Sequence, residues 1–297
     1  MKALLRAPNA EGTPVHRNRR RFQGFSLTEL LVVIVVIAIM AALLMPALSK
    51  ARRQIKAAAC LGNQKQLGAA LHMYTQDNSD RIVQMADYVT GEMIYPAGGF
   101  WRGPTPPPNW PNGSVALGAA LDGLRSSNAL YYYCNNTGVY HCPGDVRIYF
   151  STPTINDPNG WGYDSYSRSQ NLGGEPYNNY WGAGATYTKM SAILRPSTTF
   201  LMMEAGDWRG YNVGTWVVNW LGDDGFDWQD PPAIWHGNVS SVAFADGHGE
   251  LHKWVDPAIV TAGMSAAEGN AEASWTGPTE GPDYRFVYDG YRFPGHP

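Results

Sequence analysis

Hydrophobic side chains are spread unevenly along this chain. From Leu30 to Leu48, nineteen consecutive residues carry no charged or polar side chain. As a helix this run rises about 28 Å at ~1.5 Å per residue, enough to cross a bilayer core. It is entered through Gly24-Phe25-Ser26-Leu27-Thr28-Glu29, which leaves one acid, Glu29, at its edge. An acid costs roughly 2–3 kcal/mol near a bilayer centre and less toward the ends, so Glu29 needs a partner.

The helical pattern continues past the apolar run. Ser49 to Gln76 is mostly helix-forming, with Leu67, Ala70, Leu71 and Tyr74 at i, i+3, i+4, i+7 spacing. Pro46 would kink the helix rather than end it. Asp77-Asn78-Ser79-Asp80 reads as a stop and turn. Gly91 to about Asn128, and residues 150–185, are rich in Gly, Pro, Asn and aromatic residues and read as long surface loops with short elements. Beyond them, Thr198 to Glu204 reads as a buried strand and Trp216-Val217-Val218 as another. Val239–Ala245 and His248–Trp254 flank Asp246-Gly247, a two-residue hairpin signal. That register sets Val242 opposite Leu251 and Phe244 opposite Gly249 on one face. It sets Ala243 opposite Glu250 and Ser241 opposite His252 on the other. One apolar and one polar face suit an antiparallel sheet lying on the helix. Tyr284 to Phe293 would add an edge strand. The expected fold class is α+β: a long N-terminal transmembrane or filament helix, packed by a C-terminal antiparallel β-sheet head with long loops.

Charge adds an orientation. Lys2, Arg6, His16, Arg17, Arg19, Arg20 and Arg21 stand before the span against the single acid Glu11. Under the positive-inside rule this leader stays cytoplasmic and the rest faces outward, despite Lys50, Arg52, Arg53 and Lys56 just after the span. An ordinary secretory signal has an apolar region of only ~7–15 residues. A plain signal anchor is the stronger alternative, since it shares the basic flank and the long span.

Candidate chemistry is sparse. The sequence holds no G-x-S-x-G, H-E-x-x-H, P-loop or G-x-G-x-x-G, and no catalytic residues are assigned. His248 and His252 share a strand face and with His236 could ligate zinc. A solvated polar face is the preferred reading, because the spacing matches no closed zinc site. Asp223, Asp224, Asp227 and Asp230 form a dense acidic loop of oxygen ligands suited to calcium, but without the EF-hand spacing a solvated acidic surface is the preferred reading. Three cysteines allow one disulfide in an oxidising compartment. Cys134–Cys142 would close a short loop and Cys60–Cys142 would staple the head to the helix. The sequence does not choose between them.

The basic leader, Gly24, Phe25, Thr28-Glu29, the unbroken apolar run and Pro46 together resemble the type IV prepilin and type II secretion pseudopilin signal. The resemblance implies cleavage after Gly24 by a prepilin peptidase, N-methylation of Phe25, and a filament role for Glu29 against the Phe25 amine of a neighbouring subunit. It divides the chain into a leader at 1–24, a transmembrane or filament helix at 25–48, the helix's outer half at 49–80 and a β-rich head at 81–297. Without the leader the chain keeps 16 basic and 24 acidic residues, a formal net charge of −8. That argues against nucleic acid as a partner.

The spacing of His236 from Asp246-Gly247 resembles the H-x9-DG module of large prepilin-like proteins, at residues 236–247. Cys60-Leu-Gly-Asn63 with Tyr74, Cys142-Pro-Gly-Asp145 and Arg195-Pro196-Ser197 with Glu204 also look like that group. In the module His236 is expected to tie its loop to the hairpin turn, in preference to acting as a catalytic base. Calcium is plausible by the same resemblance, since major pseudopilins carry a calcium loop near the C-terminus. The implied function is a structural subunit of a type IV pilus-like filament or a type II secretion pseudopilus, not an enzyme. Its partners would be like subunits, the peptidase/methyltransferase and an inner-membrane assembly platform. Its location would be the inner membrane with a periplasmic head, then the filament. The alternative is a membrane-anchored glycan-binding module, suggested by eleven Trp and 17 Tyr among Asn/Gly loops.

Overall fold

A run of strong helix formers from Leu27 onward has nothing to stop it before Asp77. In the computed structural model it forms one 51-residue helix, α1 (Leu27–Asp77), with Pro46 inside it. The structure describes residues 25–83, 87–89, 92–94, 114–147, 164–173, 186–206, 215–221, 225–268 and 275–296. The chain divides into two units, Met1–Leu48 and Ser49–Pro297. In the first, the apolar side chains of residues 27–48 are exposed throughout.

In the second unit the outer part of α1 buries a stripe of Ala57, Cys60, Gln64, Leu67, Gly68, Ala70, Leu71 and Thr75. Most successive steps are three or four residues, which keeps the stripe on one helix face. Burying Leu67 and Leu71 completely stabilises the head by about 1.5–3 kcal/mol each. The helix stops at a turn in which Ser79 (φ 55°) and Asp80 (φ 68°) are left-handed.

The stripe packs on a five-stranded sheet. Its members are β3 (Tyr166–Ser169), β4 (Phe200–Glu204), β5 (Thr215–Trp216), β8 (Val239–Phe244) and β9 (Gly249–Lys253). Their order is β5-β3-β4-β8-β9, antiparallel except for the parallel β3–β5 pair. Short antiparallel pairs form apart from it: β1 (Asp87–Val89) with β2 (Glu92–Ile94), and β6 (Val218–Trp220) with β7 (Phe226–Trp228). Helices α2 (Ser114–Ser127), α3 (Pro257–Ala267) and α4 (Pro282–Gly290), with 3-10 turns at Thr137–Tyr140 and Met190–Ala192, complete the described elements. The architecture is α+β, with a mostly antiparallel sheet and long loops.

The sheet separates two cores. On one side Cys60, Leu67 and Leu71 of α1 meet Leu201, Met202, Ala243 and Ala245. On the other, Phe200, Met203, Val242 and Phe244 meet Trp216, Trp254, Ile259 of α3 and Val287 of α4. A bulge in β4 between Phe200 and Met202 lets consecutive Leu201 and Met202 face the same core. Strand β8 is buried from Ser240 to Phe244, on both faces.

Several expectations change. The hairpin pairs Val242 with Glu250, Ala243 with Gly249, Ser241 with Leu251 and Ser240 with His252, one residue away from the expected register. The reason is the turn. Gly247 at φ +90° lets its N–H bond back to Phe244 O, closing a three-residue connection instead of a two-residue one. The apolar residues Val242 and Phe244 point away from α1, while Ser241 and Ala243 point toward it. Tyr284–Phe293 is not an edge strand: Pro282 at the first helical turn and buried Asp283, Val287 and Gly290 make it helical as far as Gly290, in α4, and Phe293 forms an isolated bridge to His296. Helix α2 and strand β3 are ordered elements inside the loop-rich stretches, and helix α3 follows the hairpin. The expected strand at 216–218 is two, broken at Val217. The loop expectations for 95–113, 150–163 and 174–185 lie outside the described residues.

Candidate functional site

In the N-terminal unit, helix α1 begins with a reciprocal cap. Ser26 Oγ accepts a hydrogen bond from Glu29 N at 3.2 Å. Glu29 Oε2 in turn accepts from Ser26 N at 2.9 Å and Ser26 Oγ at 2.7 Å. This is a capping box, S-x-x-E, which satisfies backbone donors that a helix start leaves open. Phe25 is exposed beside it. Gly24 lies outside the described residues.

In the head, four segments distant in sequence meet. Cys60 of α1 and Cys142 form a disulfide, with Cα atoms 5.2 Å apart, while Cys134 is free and half-buried. Burial pushes the Cys134 thiol up. Of the two pairings that the sequence left open, the structure thus joins the outer half of α1 to the 142 loop. His236 lies against both sulfurs, its Nε2 3.2 Å from Cys60 Sγ and 3.3 Å from Cys142 Sγ. The same nitrogen is 3.3 Å from Glu204 Oε1 at the end of β4.

A chain of polar contacts extends from this point in both directions. Glu204 Oε1 accepts from Ser241 Oγ at 2.6 Å. Gln64, one helical turn after Cys60, donates to Ser241 Oγ and Ser241 O, each at 3.0 Å. On the other side, Gly144 N donates to Cys142 Sγ at 3.3 Å and Cys142 N to Ser165 Oγ at 2.9 Å. Ser165 Oγ donates to Asp145 Oδ2, which also pairs with Arg147 at 2.7 Å. Arg147 lies over the Trp235 ring, 5.3 Å from its centroid. Asn63 ties in the His141 carbonyl at 3.0 Å. The Cys60–Asn63, Cys142–Asp145, Glu204 and His236 segments therefore converge on one buried polar network. Spacing along the chain gave no sign that Glu204 belonged to it.

His236 does not tie its loop to the hairpin turn. The six-residue strand β8 stands between His236 and Asp246. Asp246 organises the turn instead: its Oδ1 accepts from His248 N at 3.0 Å and lies 2.6 Å from His248 Nδ1. Burial alone would raise the Asp246 carboxyl, but the His248 contacts outweigh it and hold the pKa below the usual value. Asp246 N and Ala245 N donate to Pro196 O and Thr199 O, joining the turn to the Arg195-Pro196-Ser197 segment. Gly247 supplies the left-handed backbone there.

His236, His248 and His252 do not gather. His248 faces Asp246 and His252 faces Asp283 at 3.2 Å. Of the acidic loop, Asp223 and Asp224 lie outside the described residues. Asp227 is exposed on β7, and Asp230 Oδ2 accepts from Val217 N at 2.9 Å. Among the described residues, Cys60, Cys142, Glu204 and His236 are the one convergent group of metal-capable side chains, with donor atoms within 4.8 Å of one another.

Comparison with known proteins speaks to the N-terminus. Residues 19–45 match the prokaryotic N-terminal methylation motif. Over 60 residues the chain is 42% identical to the type II secretion system core protein G of Pseudomonas aeruginosa strain PAO1. That stretch is 20% of this chain and 42% of that protein, so the chain spans less than half the length of the curated relative it matches. No solved structure matches. The chain is prepilin-like in the segment that carries the motif.

Proposed function

We propose that the chain is a structural subunit of a type IV pilus-like filament or a type II secretion pseudopilus. Residues 25–48 anchor it in the inner membrane before assembly and form filament core afterwards, and the head faces the periplasm. A prepilin peptidase cuts after Gly24 and the new Phe25 amine is methylated. Like subunits and an inner-membrane assembly platform are its partners. One observation carries this reading. The methylation motif at 19–45 overlaps a helix whose apolar side chains from Leu30 to Leu48 are exposed. Such a surface requires lipid or other helices to cover it. A glycan-binding head finds less support, since Trp216, Trp228, Trp254 and Trp275 are buried.

The test is the intact mass of chain extracted from native membranes. It should lack 24 residues and carry one added methyl. Gly24→Val should keep the leader yet still insert, because the apolar span is untouched. A native chain retaining residues 1–24, or starting after Ala47, overturns the reading.

A further inference from the structure

The hydrogen bonds of the Cys60, Cys142, His236 and Glu204 cluster leave part of its polar capacity unused. His236 Nε2 carries at most one proton, yet faces two sulfurs and a carboxylate oxygen at 3.2–3.3 Å. A sulfur is a weak acceptor. His236 Nδ1 and Glu204 Oε2 are buried and have no hydrogen-bond partner among the described residues. A buried carboxyl and imidazole that each leave one polar atom without a partner are costly unless something compensates them.

The distances around His236 Nε2 resemble those between the ligands of a coordination sphere. In a tetrahedral zinc site, with bonds of ~2.0–2.3 Å, ligand atoms stand roughly 3.3–3.7 Å apart. The three distances from His236 Nε2 fall at or just below that spacing. Two sulfurs, an imidazole and a carboxylate suit a borderline ion such as zinc rather than calcium or magnesium. The Gly144 amide aimed at Cys142 Sγ would stabilise a thiolate there. All four residues are buried, so the ion would be closed off from solvent, as in structural sites.

We propose that, once the Cys60–Cys142 disulfide is reduced, the head binds one zinc-class divalent ion through Cys60 Sγ, Cys142 Sγ, His236 Nε2 and Glu204 Oε1. A dithiol reductant supplies two electrons and two protons and is itself oxidised to a disulfide. The S–S bond breaks and two thiols form. The incoming ion displaces both thiol protons to solvent as two metal–sulfur bonds form. The sulfurs must part to roughly 3.7 Å. The α1 stripe and the 142 loop are then held together by a covalent bond when oxidised and by a metal when reduced. This inference does not rest on the filament reading.

The experiment uses the full chain in detergent micelles, reduced anaerobically with a phosphine and titrated with cobalt(II), then zinc(II). One cobalt per chain is expected, with thiolate charge-transfer and tetrahedral d–d bands, and one zinc should displace it. The unreduced chain should bind none. Cys134→Ser should keep the spectrum. Glu204→Gln and His236→Gln retain the disulfide, so their folding is checked by circular dichroism before reduction. After reduction each should change the d–d bands and weaken binding by about tenfold or more. A reduced chain that takes up no cobalt, folded or not, overturns the proposal. So does a cobalt spectrum indifferent to both substitutions.

Discussion

Glu29 spends its carboxylate on Ser26, two positions after the proposed cleavage point, accepting from both its backbone and hydroxyl groups. The acid thereby sits at the positive end of its own helix dipole, where it is stabilised. Any contact between Glu29 and a neighbour's Phe25 amine must share an oxygen already in use or draw on Oε1. Ser26→Ala and Glu29→Ala separate the two roles. Both should weaken the helix start, by about 1 kcal/mol for loss of the Ser26 cap. Glu29→Ala alone should deplete the sheared filament fraction while leaving the membrane fraction undiminished, since it removes an acid from the bilayer edge. Equal filament yield from both variants would assign Glu29 to capping only.

The disulfide links residues 82 apart in sequence. In the chain-entropy account, closing a loop of that size stabilises the native state by roughly 4–5 kcal/mol. Cys60→Ser combined with Cys142→Ser is therefore expected to lower head stability by about 2–5 kcal/mol, read from chemical unfolding of the full chain in micelles. Cys134→Ser should change it by less than about 1 kcal/mol, because that thiol is half exposed. A non-reducing peptide map of the native chain should show the 60–142 pair and one alkylatable thiol at Cys134.

The two ends of this chain differ in how much their sequence discloses. The span Leu30–Leu48 and the stripe through Leu67, Ala70 and Leu71 are local signals, carried by composition and a 3.6-residue period, and they were legible. The hairpin was legible but its register was not, because Asp246-Gly247 serves a two-residue and a three-residue turn alike. Helix α4 was misread since Tyr284, Phe286, Val287 and Tyr288 have strand-forming character. The buried spacing of Asp283, Val287 and Gly290 and the Pro282 start were the better guides. The polar cluster was the least visible. Its members Cys60, Cys142, Glu204 and His236 are brought together by sheet order and by the packing of α1, neither of which leaves a spacing to read. Glu204 ends an apolar strand, and the resemblance to large prepilin-like proteins alone set it beside the Cys60, Cys142 and His236 segments.

Acid should loosen the C-terminal end of the head through His252. Its ring stacks on Phe286 with centroids 3.6 Å apart and faces Asp283, which also accepts from Val255 N and Asp256 N. Burial lowers the His252 pKa, and the nearby Asp283 and Glu250 charges offset this only in part. The folded state thus favours the neutral ring. This contribution is present above the unfolded value of about 6.5 and is lost as pH falls through it toward the folded value. His252→Phe keeps the stack and loses the hydrogen bond, costing about 1–2 kcal/mol at neutral pH. The gap between wild type and variant should narrow between pH 7 and pH 5, followed by urea unfolding. A gap that widens on acidification would mean that the Asp283 charge outweighs burial.

Two glycine-to-alanine changes should have opposite signs. At Gly144 an added Cβ would lie 2.6 Å from His236 Cε1 and 2.9 Å from Trp235 Cβ. Neither neighbour is the free end of a flexible chain. His236 is buried against the disulfide, and Trp235 is fixed by its Nε1 bond to Ala267 O at 3.0 Å. Overpacking of this kind costs about 1–3 kcal/mol. Gly62 lies on α1 between Cys60 and Gln64, and a Cβ there would meet nothing within 4 Å. Alanine at that helical position should stabilise by about 0.5–1 kcal/mol, because glycine loses more backbone freedom on folding. Thermal unfolding of the two variants beside wild type measures both. A Gly144→Ala chain as stable as wild type would mean that the 142 loop yields easily and does not clamp His236. A destabilised Gly62→Ala chain would mean that this helix face is covered by something other than solvent.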